Sequence, residues 1–225
     1  QYIQAQAYIE ETLALCRELE EPWGIADAIM SLATTAFEQK NLVKARLLFQ
    51  EASAMHHEIN NQHSISVCLM YFARLDSQIN AFEEAKHQLE QAITMLRTED
   101  DRNLGLALGL LANVQRQLGQ PHETIHNGLR EALTIAQKKN NPEAQIAILI
   151  SAAPILFADE NYYLLGELIG LLGIKAGAYY DRTVVNEMLD NLRPRLDNSI
   201  LEAALEDGRS NDIDSMIAHL QAQLD

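Results

Sequence analysis

Residues 25–58 read IADAIMSLATTAFEQKNLVKARLLFQEASAMHHE, and their spacing decides the fold. Ile25, Ile29, Leu32, Ala33 and Ala36 recur at helical intervals and put one apolar stripe on a first helix. Lys40-Asn41 marks a turn, after which Ala45, Leu48, Phe49, Ala52 and Met55 build a second stripe. Two amphipathic helices joined so tightly must lie antiparallel. The small alanines let their axes approach closely, and the larger side chains fill the neighbouring holes.

The same pattern returns along the chain. The final alanines of Ser31-Leu32-Ala33, Tyr71-Phe72-Ala73, Leu110-Leu111-Ala112 and Ala152-Ala153 are 40, 39 and 41 residues apart. Twelve residues beyond each stand Ala45, Ala85, Thr124 and Leu165, opening a second helix. Ala52, Ala92 and, after one inserted residue, Ala132 follow. Ala5, Ile9 and Thr12 precede Ala85, Leu89 and Ala92 by two periods. Glu21-Pro22, Asn60-Asn61, Asp100-Asp101 and Asn140-Asn141-Pro142 punctuate the units with residues that favour caps and turns. A period near 40 with no alternating strand pattern predicts an all-α solenoid of helix pairs. About seven solenoid helices are expected up to Ala178.

Composition narrows the partners. The 225 residues carry 32 Asp and Glu against 17 Lys and Arg, a formal charge of −15. Nucleic-acid affinity rests on cations that neutralise phosphates, so direct nucleic-acid binding is not expected, nor is an anionic membrane surface. Hydrophobic residues at 48% suffice for a packed core, while the longest apolar stretch, Ile146 to Phe157, is too short to span a bilayer. Cys16 and Cys68 lie inside apolar runs with no CxxC pair, as buried reduced thiols of a cytoplasmic protein would. The chain opens at Gln1 already inside a helical pattern, which suggests a piece of a longer polypeptide.

The paired helices, with Leu32-Ala33, Phe72-Ala73 and Leu111-Ala112 on first helices, resemble the tetratricopeptide repeat. Ala45, Phe49 and Ala52, then Ala85, Leu89 and Ala92, match that family's second-helix signature. Its Trp and Tyr are missing, and the period exceeds the usual 34 by about six. The resemblance implies a right-handed solenoid over residues 1–178. Tyr163 to Leu172, Tyr180 to Leu196, Leu201 to Arg209 and Ile213 to Leu224 resemble the tail that closes large bacterial regulators and cyclases. Residues 179–225 are accordingly expected to form a C-terminal helical cap. Such tails imply an upstream STAND ATPase with a LuxR- or SARP-type DNA-binding domain, or a cyclase or kinase, in the same polypeptide.

The resemblance also places a groove on the first helices. Its positions fall on Asp27, Met30, Thr34, Phe37 and Glu38, then Met70, Arg74, Ser77 and Gln78, then Asn113, Arg116 and Gln117. The lysines of the family's carboxylate clamp are absent. Arg74, Asn113 and Arg116 form an expected basic island for an anionic group on a protein partner or small inducer.

Catalytic and cofactor signatures are missing: there is no phosphate loop, GxSxG, HExxH or kinase motif. The expectation is therefore no catalytic residue, no cofactor and no metal. His122 and His126 share a helix face at i and i+4 but lack a third ligand in sequence, so they read as solvated or loop-packed, with the adjacent His56 and His57 at a solvated helix end. Asp212 is expected to cap the final helix. Gly166, Gly170, Gly173 and Gly177, like Gly105 and Gly109, are expected at close helix crossings, and Pro154 is expected to kink or shorten its helix. The functional expectation is a non-catalytic sensor or scaffold module of a bacterial ATP-dependent transcriptional regulator. The alternative is a self-association or interaction domain of a nucleotide cyclase or protein kinase.

Overall fold

The computed structural model describes residues 2–98, 103–139, 142–175 and 182–224. Two compact units divide the chain, Gln1–Asp101 and Arg102–Asp225. The first holds α1 (Tyr2–Glu18), α2 (Pro22–Glu38), α3 (Leu42–Glu58), α4 (Gln62–Gln78) and α5 (Phe82–Thr98). The second holds α6 (Leu104–Gln117), α7 (His122–Lys139), α8 (Pro142–Ala158) and α9 (Tyr162–Lys175). After these come α10 (Arg182–Leu192), a short 3-10 turn (Arg193–Arg195), α11 (Asn198–Ser210) and α12 (Ile213–Gln223). Every described residue in a regular element is helical.

The links explain the regularity. Each of the first five helices is 17 residues long, about 25 Å, and a three-residue link follows each of the first four. In six of the described links one residue takes a left-handed conformation: Glu20, Lys40, Asn60 and Asn80 in the first unit, Gly119 and Glu160 in the second, at φ between 52° and 66°. The next residue then sends its N–H back five residues. Asn41 N–H donates to Ala36 O (2.9 Å), Asn61 to His56 O (2.9 Å), Gln120 to Gln115 O (3.0 Å) and Asn161 to Leu156 O (3.0 Å). This closure satisfies carbonyls that a helix end would otherwise leave bare. Asn41 and Asn61 also cap the following helix, their side chains accepting from Lys44 N–H (3.2 Å) and Ser64 N–H (3.1 Å). One residue thus ends a helix and begins the next.

With links this short, each 40-residue period holds two complete helices, and the first twenty residues form a helix of their own. Nine helices therefore precede residue 178 among the described residues, not seven. The expected boundary at 178/179 lies outside the described residues.

In the first unit α2 pairs with α3 and α4 with α5, while α1 covers the open side of α2. Ala45, Ala52, Ala85 and Ala92 are all fully buried, as close crossings require. Phe49 stacks on Tyr71 with ring centroids 4.5 Å apart and meets Phe72 edge-on at 6.3 Å. Cys68 lies buried and reduced in this core, where burial pushes its thiol pKa up to about 12; Cys16 is half-buried and also free. Asp76, at the end of buried α4, ties three helices together: it accepts from Arg46 of α3 and from Gln88 Nε2 of α5 (2.8 Å).

The second unit starts the same way, with α6 against α7, and then departs. Helix α9 packs more extensively on α11 than on α8. Small residues make that crossing: a methyl group on Gly166 would sit 2.7 Å from Ala204 Cβ, and one on Gly170 or Gly208 would collide with the backbone of Leu205 or Glu167. Gly105 also sits at a crossing, 3.1 Å from Ala132 O by the same measure, and Gly109 at 3.3 Å from Ser151 Cβ. Gly173 does not; it is exposed, and nothing lies within 4 Å of its would-be Cβ. Gly177 lies outside the described residues. Pro154 does not shorten α8, which runs on to Ala158, since a missing N–H removes a single rung. Helix α12 lies against α7, α8 and α9, capped by Asp212, whose carboxylate accepts from Ser215 N–H at 2.7 Å. No helix among the described residues is long and apolar enough to cross a membrane.

Candidate functional site

The first-helix positions split between the two units. In the first, Met70 is buried, Asp27, Met30, Thr34, Phe37, Arg74 and Ser77 are half-buried, and Glu38 and Gln78 are exposed. Side chains of α2 and α4 meet here. Met30 Sδ lies 4.0 Å from Cys68 Sγ, and the Phe37 ring meets Tyr71 edge-on at 5.5 Å. The Arg74 guanidinium lies over both rings, 4.4 Å from the Phe37 centroid and 5.0 Å from that of Tyr71. Its nearest carboxylate is Glu38, at 3.9 Å, a loose exposed pair. The aromatic faces therefore orient Arg74 more firmly than its ion pair does. Thr34 and Ser77 turn their hydroxyls inward, donating to Met30 O (3.1 Å) and Ala73 O (2.8 Å).

Asp27 has another neighbour. Its carboxylate faces the fully buried His56 of α3, with Nε2 3.6 Å from Oδ1. Only His57 of the adjacent pair is exposed, so the expectation of a solvated helix end fails for His56. The last turn of α3 packs against α2, and one of two consecutive residues must face inward. Burial holds the His56 pKa below its usual value, with Asp27 pulling the other way. Burial raises that of Asp27, opposed by His56. Neither ring nitrogen of His56 has a hydrogen bond among the described residues.

In the second unit Asn113 serves the scaffold. Its Nδ2 donates to Ser151 O of α8 at 2.6 Å, joining α6 to α8. Arg116 is half-buried, its pKa lowered by burial and its Nε without a hydrogen-bond partner among the described residues; Gln117 is exposed. A shallow pocket of about 210 Å³ opens between α9 and α12, where His219 lies 3.6 Å from Glu167.

The structure also gathers residues that spacing alone could not. Asp159, in the link after α8, lies between His122 and His126 in the first turns of α7. Its two oxygens face His122 Nδ1 at 3.2 Å and His126 Nε2 at 2.8 Å. The third group missing from the sequence reading stands 33 residues downstream of His126. The signal was the α8–α9 link, which comes level with the start of α7 once helices of near-equal length fold back antiparallel.

No protein-family model matches the chain, and no curated protein does. Solved structures of similar fold include two with the following likeness. The apo form of RapI superposes with a TM-score of 0.60 at 16% identity, covering 87% of this chain and 78% of that one. BtubC from P. vanneervenii superposes with a TM-score of 0.61 at 15% identity, covering 100% of this chain and 91% of that one. At such identities the likeness shows the fold alone. That fold is an all-α, tetratricopeptide-like solenoid of antiparallel helix pairs.

Proposed function

We propose that this chain is a non-catalytic binding module whose first-helix surface receives an anionic group of a protein partner or small inducer. It would serve as the sensor or scaffold region of a bacterial ATP-dependent transcriptional regulator. The observation carrying this reading is Arg74, a one-third-exposed guanidinium laid on Phe37 and Tyr71 and only loosely paired. Stacking pre-orients the fork, so less side-chain freedom is lost when a carboxylate or phosphate engages it. The surrounding charge of −15 repels polyanions, which favours ligands with a single local anionic group. Binding reaches the upstream domains by differential affinity for two states of the module. Screening the protein against an immobilised library of acidic peptides and small carboxylates tests this. Hits on the wild type should weaken at least tenfold in Arg74→Ala; hits that keep their affinity in that variant refute the assignment.

The alternative, self-association, has its own support. Leu15 on α1 with Leu19 just past its end, and Val43 with Leu47 on α3, are each more than half exposed and stand four residues apart. Sedimentation velocity decides it: a concentration-dependent dimer abolished by Val43→Glu with Leu47→Glu supports this reading, and a strict monomer removes it.

A further inference from the structure

We propose that His122, His126 and Asp159 bind a divalent transition ion of the zinc class. The proposal stands independently of the ligand-binding reading, because these residues belong to the second unit and Arg74 to the first. The donors are two imidazole nitrogens and a carboxylate, a set that suits borderline ions such as Zn²⁺. Ca²⁺ and Mg²⁺ prefer shells of oxygen, so the chemistry selects against them.

The geometry is close to what such an ion needs. Around Zn²⁺, with bonds of about 2.0–2.2 Å, tetrahedral donors stand about 3.3 Å from one another. Here His122 Nδ1 and His126 Nε2 lie 3.2 and 2.8 Å from the two oxygens of one carboxylate. The donor atoms of all three residues fall within 4.8 Å of one another, and no other such trio of His, Cys, Asp and Glu occurs among the described residues. The two rings stand nearly perpendicular, 84° apart with centroids at 5.9 Å, so their nitrogens converge on the carboxylate without the rings blocking one another.

Two of the ligands are held and one is adjustable. The side chains of His126 and Asp159 are 23% and 20% exposed, whereas that of His122 is 75% exposed and can swing to complete the shell. Asp159 is fixed by its place in the link, where its own N–H donates to Ile155 O (2.9 Å) and Glu160 turns the chain in the left-handed conformation. Three protein ligands leave a fourth position on the solvent side, for water or a donor from a partner. The bound ion would clasp the start of α7 to the α8–α9 link.

Titration calorimetry with Zn²⁺ alone, on the whole chain, tests the assignment. One ion per chain should bind with micromolar affinity, unaffected by millimolar Mg²⁺ or Ca²⁺, and should raise the melting temperature. Asp159→Asn and His122→Ala should each weaken binding at least tenfold and abolish the thermal shift. Both keep the fold intact, as circular dichroism would verify, because His122 is exposed and Asn nearly matches Asp in shape. His87→Ala, on the exposed face of α5, should change nothing. The proposal is overturned if Zn²⁺ does not bind saturably, or if Asp159→Asn or His122→Ala binds it as the wild type does. Loss in His122→Ala alone would leave a histidine pair and exclude the carboxylate.

Discussion

Gly119 and Lys40 occupy equivalent places in two links, at φ of 66° and 60°, and exchanging their residue types isolates what the links contribute. A methyl group on Gly119 would find nothing within 4 Å, so Gly119→Ala introduces no clash. What remains is the backbone. An L-residue in the left-handed region costs about 1–2 kcal/mol, and a stiffer unfolded chain returns about 0.4–1 kcal/mol. The net expectation is a loss of about 1 kcal/mol. Lys40→Gly runs the same balance backwards and should gain about 0.5–1 kcal/mol, keeping the N–H that donates to Phe37 O at 2.9 Å. Asn60→Gly should change stability by only a few tenths of a kcal/mol, because Asn tolerates this conformation. In a chain of this size 1 kcal/mol moves a melting temperature by about 2–4 °C. Urea unfolding followed by far-UV circular dichroism resolves these differences, and fluorescence of Trp23, the single tryptophan, reports on the first unit. An unchanged Gly119→Ala, or a destabilised Lys40→Gly, would refute the account of how one helix hands over to the next.

Ala85→Leu should overpack the α4–α5 crossing and cost about 1–3 kcal/mol, read from a thermal melt. Gly208→Ala should cost more than about 3 kcal/mol, because its new Cβ meets the Glu167 backbone and cannot be relieved by a rotamer change; a melt within 2 °C of wild type would contradict the close α9–α11 crossing. Asp76→Ala, which strips Gln88 and the one-third-exposed Arg46 of their shared acceptor, should cost about 1–3 kcal/mol by urea titration. Stability should also fall as pH drops from 7.5 to about 5.5. Burial depresses the His56 pKa from its usual 6.5, so below that value the unfolded chain binds the extra proton and the stabilisation is lost towards the folded pKa. Asp27 acts with the opposite sign, its raised pKa favouring the folded state only towards the carboxylate range. His56→Leu should flatten the fall between these two pH values, and an equal slope in wild type and variant would remove His56 as its cause.

The fold was legible because its two determinants are local. Alanines at Ala33, Ala45 and Ala52 have one function wherever they recur, letting two axes approach, and their spacing survives while the residues around them vary. The links were half legible. Asn41, Asn60 and Asn61 are turn residues by composition, but Glu20 and Glu160 adopt left-handed turn conformations without advertising it. Closure of each link by backbone hydrogen bonds lets residues of ordinary propensity occupy the turn. Four helix pairs and the N-terminal stub make the nine helices described before residue 178, two more than the expected seven.

Sites depend on contacts between helices, and there the sequence runs out. That His56 is buried and His57 exposed follows from the phase of the last turn of α3 against α2, which a shift of one residue would reverse. Asn113 reads as a ligand donor in the family's groove, yet its amide is committed to Ser151 O, a carbonyl 38 residues away. His122 and His126 invite a third ligand only once the α8–α9 link is known to return to the start of α7, and Asp159 then supplies it. In each case the residue type was visible and its partner was not, because the partner is set by a helix length and not by a spacing. In a helical repeat, chemistry therefore gathers where links meet helix ends: at His56 against Asp27, at Asp76 beneath Arg46 and Gln88, and at Asp159 between two histidines. Helix interiors repeat to preserve packing, whereas the ends are free to diverge. Substitution of Asp159 should consequently alter metal affinity while leaving the stacking of helices unchanged, whereas Asp76→Ala also loosens the three helices that its carboxylate ties together.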